Sequence, residues 1–65
     1  MKKIPVKAIR ISAGYTQEEF AKLINMPLPT YIKKEQGQTE FYFSEIVEIC
    51  NLTGFSLDQV KPKAD

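Results

Sequence analysis

Sixty-five residues make one domain, and a chain this short buries only about 60% of its unfolded surface, leaving no depth for an enclosed catalytic cavity. The composition, 43% hydrophobic and 26% charged, is globular, and the lack of histidine with Cys50 as sole cysteine excludes an internal disulfide framework, a structural zinc site and histidine-based nucleophilic catalysis. The net charge of +1 divides into +5 up to Lys34 and −4 from Glu35 onward, an asymmetry that suggests a polyanionic partner for the first half.

The basic start Met1-Lys2-Lys3-Ile4-Pro5 has no apolar run behind it and does not read as a secretory leader. No stretch approaches the roughly 20 apolar residues of a membrane span, so a soluble intracellular chain is expected. Pro5 suits the first position of a helix, where its missing N–H has no intrahelical partner anyway. Val6, Ile9, Arg10 and Ala13 then share one helical face, and Gly14 is placed to end the helix. Thr16-Gln17-Glu18-Glu19 is a T-x-x-E capping box and predicts a second short helix over 17–24. Phe20, Ala21 and Ile24 supply its buried face, and Asn25 closes it.

Met26-Pro27-Leu28-Pro29 reads as a tight turn. A third helix follows through Thr30 to Gln36, its start delayed because Pro29 biases Leu28 away from the α region. Gly37 stops it, and residues 38–43 read as a loop with apolar anchors. Helical spacing resumes over 44–53, with Phe43, Ile46, Val47, Ile49 and Cys50 as the apolar set and Gly54 as the stop. Ser56-Leu57-Asp58-Gln59 is an S-x-x-Q cap that predicts a fifth short helix over 57–60. Tyr31, Phe20, Phe41, Phe43 and Phe55 are expected in the core, and Cys50 as a packed thiol. Five short helices without strand alternation make an all-α domain. The expectation is a single unit over 1–65 with flexible ends at 1–4 and 61–65.

Two helices joined by a turn of three or four residues form a helix-turn-helix, whose second helix can enter a DNA major groove. Here the residues themselves carry a resemblance. They are Arg10, Gly14, the run Thr16-Gln17-Glu18-Glu19-Phe20-Ala21, Tyr31, Lys33-Lys34-Glu35, Gly37 and Phe41, then Ser44-Glu45-Ile46, Ile49 and Gly54-Phe55-Ser56-Leu57-Asp58. In one register without a gap, the stretch from Ile9 to Val60 resembles the phage Cro/repressor-type helix-turn-helix domains, the XRE class of prokaryotic regulators. The run from Tyr31 to Glu45 is similar to versions found in prophages of Gram-positive bacteria.

The resemblance implies a compact five-helix, lambda-repressor-like fold and a sequence-specific regulator of transcription that binds double-stranded DNA. A phage or prophage Cro-like repressor is the reading it favours, acting as a homodimer by occupying a pseudo-palindromic operator. It implies no enzymatic activity, no cofactor and no membrane, and a place in the bacterial cytoplasm at the nucleoid. Base contacts are implied for Leu28, Pro29, Thr30, Ile32 and Lys33, and phosphate contacts for Gln17, Lys34, Gln36 and Gln38. Arg10 and Glu35 match a pair that, in similar domains, forms a partly buried structural ion pair. Lys2, Lys3 and Lys7 are candidates for an arm along the DNA backbone.

The chain departs from the family pattern in places. Neither Leu28 nor Pro29 can donate a side-chain hydrogen bond, although Leu28 can pack on a thymine methyl. Lys34 stands where relatives often bury an apolar residue, so its stem is expected to lie along the core edge. Tyr42 occupies a position that commonly holds a Thr or Ser cap. The dimer surface is expected either around Gly54–Lys61 or in the Phe41-Tyr42-Phe43 loop. The alternative reading is a protein-interaction module on the same fold, an antirepressor, modulator or antitoxin, with another repressor as its partner.

Overall fold

The computed structural model describes residues 3–64 and starts with an extended pair, β1 (Ile4–Pro5), followed by α1 (Val6–Ala13). Pro5 stands just outside the helix as its N-cap, with φ −66° and ψ 149°, rather than at the first helical position. Pairing accounts for the difference. β1 lies parallel to β2 (Val60–Lys61), with Ile4 opposite Val60 and Pro5 opposite Lys61, and this holds Pro5 extended at a strand edge. Ile4 and Lys61 both belong to the segments expected as flexible ends; Lys2 of the expected arm lies outside the described residues. Gly14 closes α1 with φ 84°, a conformation that any Cβ makes unfavourable.

The capping box forms as predicted: Thr16 Oγ1 accepts from the Glu19 N–H at 3.1 Å, and Glu19 Oε1 accepts from the Thr16 N–H at 2.9 Å. It opens α2 (Gln17–Leu23), which ends with Ile24 as its cap and Asn25 at φ 59°. The next helix, α3 (Leu28–Glu35), starts earlier than the sequence suggests. Pro27 takes the extended conformation, and its carbonyl accepts the Tyr31 N–H at 3.0 Å. Leu28 turns helical because its side chain packs against the core, while Pro29 falls in the first turn where no intrahelical N–H is needed. Gln36 and Gly37 end the helix.

The longest helix is α4 (Phe43–Thr53), capped by Gly54. The expected fifth helix is a single 3-10 turn, Leu57–Gln59, because Val60 swings into β2 immediately afterwards. Among the described residues the fold is therefore four α-helices, one 3-10 turn and a two-residue parallel pair, rather than five helices alone.

Ile9, Phe20, Tyr31 and Ile49 are fully buried, with Val6, Ala21, Ile24, Met26, Phe41, Ile46 and Val60 around them. A file of rings crosses this core: Tyr15–Phe20 at 5.7 Å, Phe20–Tyr31 at 5.8 Å and Tyr31–Phe41 at 5.9 Å between centroids. Tilted and edge-on pairs of this kind contribute about 0.5–1.5 kcal/mol each beyond the area they bury. Phe43 is not part of it. As the first residue of α4 it points outward and is 73% exposed, and Phe55 is only half-buried.

Candidate nucleic-acid interface

α2 and α3 are joined by the turn Ile24–Pro27, in which Met26 donates its N–H to the Ala21 carbonyl at 2.9 Å. This turn fixes α3 across α2 and decides which side of α3 meets solvent. Tyr31, Lys34 and Glu35 face inward; Pro29, Thr30 and Lys33 are exposed; Leu28 and Ile32 lie half-buried between them. The five residues expected to read bases are thus on one short helix with their side chains at or near its solvent face. The helix has eight residues and is about 12 Å long. Its diameter with side chains, about 10–12 Å, is what fits the roughly 12 Å width of a DNA major groove. A shallow groove beside it is lined by Thr30, Lys33, Lys34, Glu40, Tyr42 and Glu45 among others, so two lysines and two carboxylates share it.

The inner side of α3 is held by a buried polar cluster centred on Glu35. Arg10 Nε donates to Glu35 Oε2 at 2.9 Å, and Arg10 Nη2 to Oε1 at 3.3 Å. The Tyr31 hydroxyl donates to Oε2, and Gln17 Nε2 donates to Oε1 at 2.8 Å. Arg10 also reaches the Tyr15 carbonyl at 2.8 Å. Burial alone pushes the Glu35 carboxyl up, but the hydrogen bonds from Arg10, Tyr31 and Gln17 and the guanidinium charge outweigh it and hold the carboxyl below its ordinary value. The bond to Glu35 in turn raises Arg10, and burial with the same carboxylate raises the Tyr31 phenol. The expected Arg10–Glu35 pair is present, extended by Tyr31 and Gln17.

Gln17 was expected at a phosphate and has one amide N–H committed to Glu35; a primary amide has a second. Lys34 differs more sharply from expectation. It is 4% exposed, and its Nζ donates to both carboxylate oxygens of Glu45 at 2.7 and 2.8 Å while lying 3.8 Å from the centre of the Tyr42 ring. A lysine on the inner side of α3 needs a partner because an unpaired ammonium is costly there, and the part-buried Glu45 supplies it. Glu45 simultaneously accepts the Tyr42 N–H at 2.7 Å, so one carboxylate caps α4 and neutralises Lys34.

Sequence reasoning missed Glu45 as that partner: its place three residues after Tyr42 signals only the cap of α4, and it stands eleven residues beyond Lys34 on another helix. Gln36 and Gln38 are exposed beyond the end of α3 and bonded to each other at 2.9 Å. Among the described residues no group of acidic or cysteine side chains is arranged to hold a metal. No helix of the described residues is long and apolar enough to cross a membrane.

Neither a curated protein nor a solved structure matches the sequence. A family model described as helix-turn-helix does match, over residues 6–60, a span that takes in all four α-helices and the 3-10 turn. The chain belongs to the XRE/Cro-type helix-turn-helix family.

Proposed function

We propose that this member of a family of DNA-binding transcription regulators is a phage or prophage Cro-like repressor that acts by occupying an operator as a homodimer. The observation that carries the reading is the outward face of α3: Thr30 and Lys33 exposed on a helix whose inner side is fixed by the Glu35 cluster. A rigid ridge with a hydroxyl and an ammonium at its surface suits insertion into the major groove. Leu28, Pro29, Thr30, Ile32 and Lys33 read bases, while Gln17, Gln36 and Gln38 contact phosphate. Similarity of the Tyr31–Glu45 run to Gram-positive prophage domains supports the phage origin, and a bacterial cytoplasmic setting at the nucleoid goes with it.

One such domain offers few base contacts, so useful affinity needs two copies on half-sites roughly 34 Å apart, one turn of the duplex. Anisotropy titrations against intergenic DNA from a host phage, repeated over a range of salt, test the proposal. The expected result is a preferred duplex bound far more tightly than random sequence, with affinity falling steeply as salt rises. Equal binding of every duplex at all salt concentrations refutes it.

A protein-interaction module is the second reading, favoured by Tyr42 and Phe43, which are 68% and 73% exposed. Co-purification with another repressor, together with unchanged operator occupancy in Lys33→Glu, supports that reading over the first.

A further inference from the structure

A helix turns about 100° per residue, which places Pro29, Lys33 and Gln36 along the crest of α3, opposite the buried Tyr31, Lys34 and Glu35. Thr30 lies on one flank of that crest and Leu28 with Ile32 on the other. Over its first turn and a half, the crest and one flank are hydrocarbon. The available donors are the Thr30 hydroxyl and the Lys33 ammonium. No amide or guanidinium, the groups that read adenine or guanine with paired bonds, precedes Gln36, which sits at the helix end with its amide oxygen engaged by Gln38.

The major groove offers hydrocarbon a single apolar feature, the 5-methyl group of thymine. Contact with it removes apolar surface of both partners from water and needs no donor. Pro29 is well suited, since its ring loses no rotamer freedom on contact. We infer that Leu28, Pro29 and Ile32 read thymine methyl groups, and that Lys33, one turn farther on, donates to O6 or N7 of an adjoining guanine. Specificity then comes from a hydrocarbon strip beside a single cation, and each operator half-site carries thymines next to a guanine. The inference rests on the DNA-binding reading above.

The test uses the full chain and duplexes selected from a random pool. Each thymine of the selected site is replaced in turn by deoxyuridine, which keeps the pairing edge and removes only the methyl. Expected is a loss of about fourfold at one to three thymines per half-site, the weight of one buried methylene. Leu28→Ala, Pro29→Ala and Ile32→Ala should each remove the penalty at one thymine. Pro29→Ala is decisive because Pro29 is exposed and its replacement leaves the core untouched. Uracil tolerated at every position while sequence-specific binding persists overturns the methyl reading and leaves DNA binding standing. A uracil penalty unchanged in all three variants overturns it too, since the methyl contact then belongs to other residues. A selection that enriches no sequence overturns both this inference and the function on which it rests.

Discussion

Gln17 and Glu35, the first residue of α2 and the last of α3, are joined by a 2.8 Å hydrogen bond between the amide and the carboxylate that Arg10 also neutralises. Both helices of the helix-turn-helix and α1 are therefore tied to one buried carboxylate. Arg10→Ala leaves that carboxylate without its cation in a site only 6% exposed. The expected loss is about 3–5 kcal/mol, a large share of the stability of so small a domain. Replacing both residues, Arg10→Met with Glu35→Met, should recover much of it, because no lone charge remains. Chemical denaturation followed by circular dichroism measures both. A loss no larger than that of an exposed arginine means the cluster is not what holds the helices together.

The same cluster sets two pH limits. Glu35 is depressed in the folded state, so its contribution is present above the ordinary value of 4.5 and fades as pH falls through the lower, folded value. Tyr31 is raised, so its contribution is complete below the ordinary value of 10.0 and is lost as pH climbs above it. Melting temperature should hold a plateau between these limits and fall on both sides. Tyr31→Phe should flatten the alkaline fall while the acid side remains. An alkaline fall of the same size in Tyr31→Phe assigns it to other groups.

Much of this could be read from the chain, for identifiable reasons. Thr16 and Glu19 announce α2 because a capping box is a local contact whose two halves lie three residues apart. What escaped is non-local or depends on competition. Pairing of Ile4 with Val60 joins residues at opposite ends of the chain, and no period announces it. Leu28 enters α3 because the core draws it in, against its local preference before Pro29. Lys34 is legible as a residue whose stem lies along the core edge, but its partner is not, because Glu45 stands eleven residues on in another helix. Glu45 had to be placed beside it before the pair became visible.

Lys33 and Lys34 are neighbours in sequence but one is exposed and the other buried, so neutralising each should have separable effects on DNA. Lys33→Gln removes an exposed charge and should lower the slope of log affinity against log salt by about 1 if it meets phosphate. If it meets a base instead, the loss should be about 1–3 kcal/mol and confined to the preferred sequence. Lys34→Gln should leave the slope unchanged, since the ammonium is already neutralised by Glu45. Titrations are made at a temperature where both variants are folded by circular dichroism. Equal slopes for the two variants, both below that of the unaltered chain, return Lys34 to the DNA.

Phe43 heads α4 at 73% exposed, beside Tyr42 and across a shallow groove from Leu57. Phe43→Ser should change monomer stability by no more than about 0.5 kcal/mol, as for other surface positions free of caps and buried contacts. If two copies meet on this face, the same change should weaken self-association by tenfold or more in sedimentation equilibrium. Operator affinity should fall with it, while binding of a single half-site is unaffected. Undiminished dimerisation of Phe43→Ser moves the interface elsewhere, with the Gly54–Lys61 region next to be tested.

Gly37 lies where the chain returns at its other end. A Cβ built there falls 2.5 Å from the Ala64 carbonyl oxygen, and φ is 88°, in the left-handed region. At Gly14, with φ 84°, the same Cβ meets nothing within 4 Å. Gly14→Ala should therefore cost only the conformational term of about 1–2 kcal/mol. Gly37→Ala should cost more, because the backbone at Ala64 must move away as well. That movement should loosen the bond from the Phe41 N–H to the Pro62 carbonyl, now 2.9 Å, and speed exchange of the Phe41 amide. Thermal unfolding of the two variants, with hydrogen exchange at Phe41, makes the comparison. Equal destabilisation with the Phe41 amide still protected shows that the segment around Ala64 yields without strain.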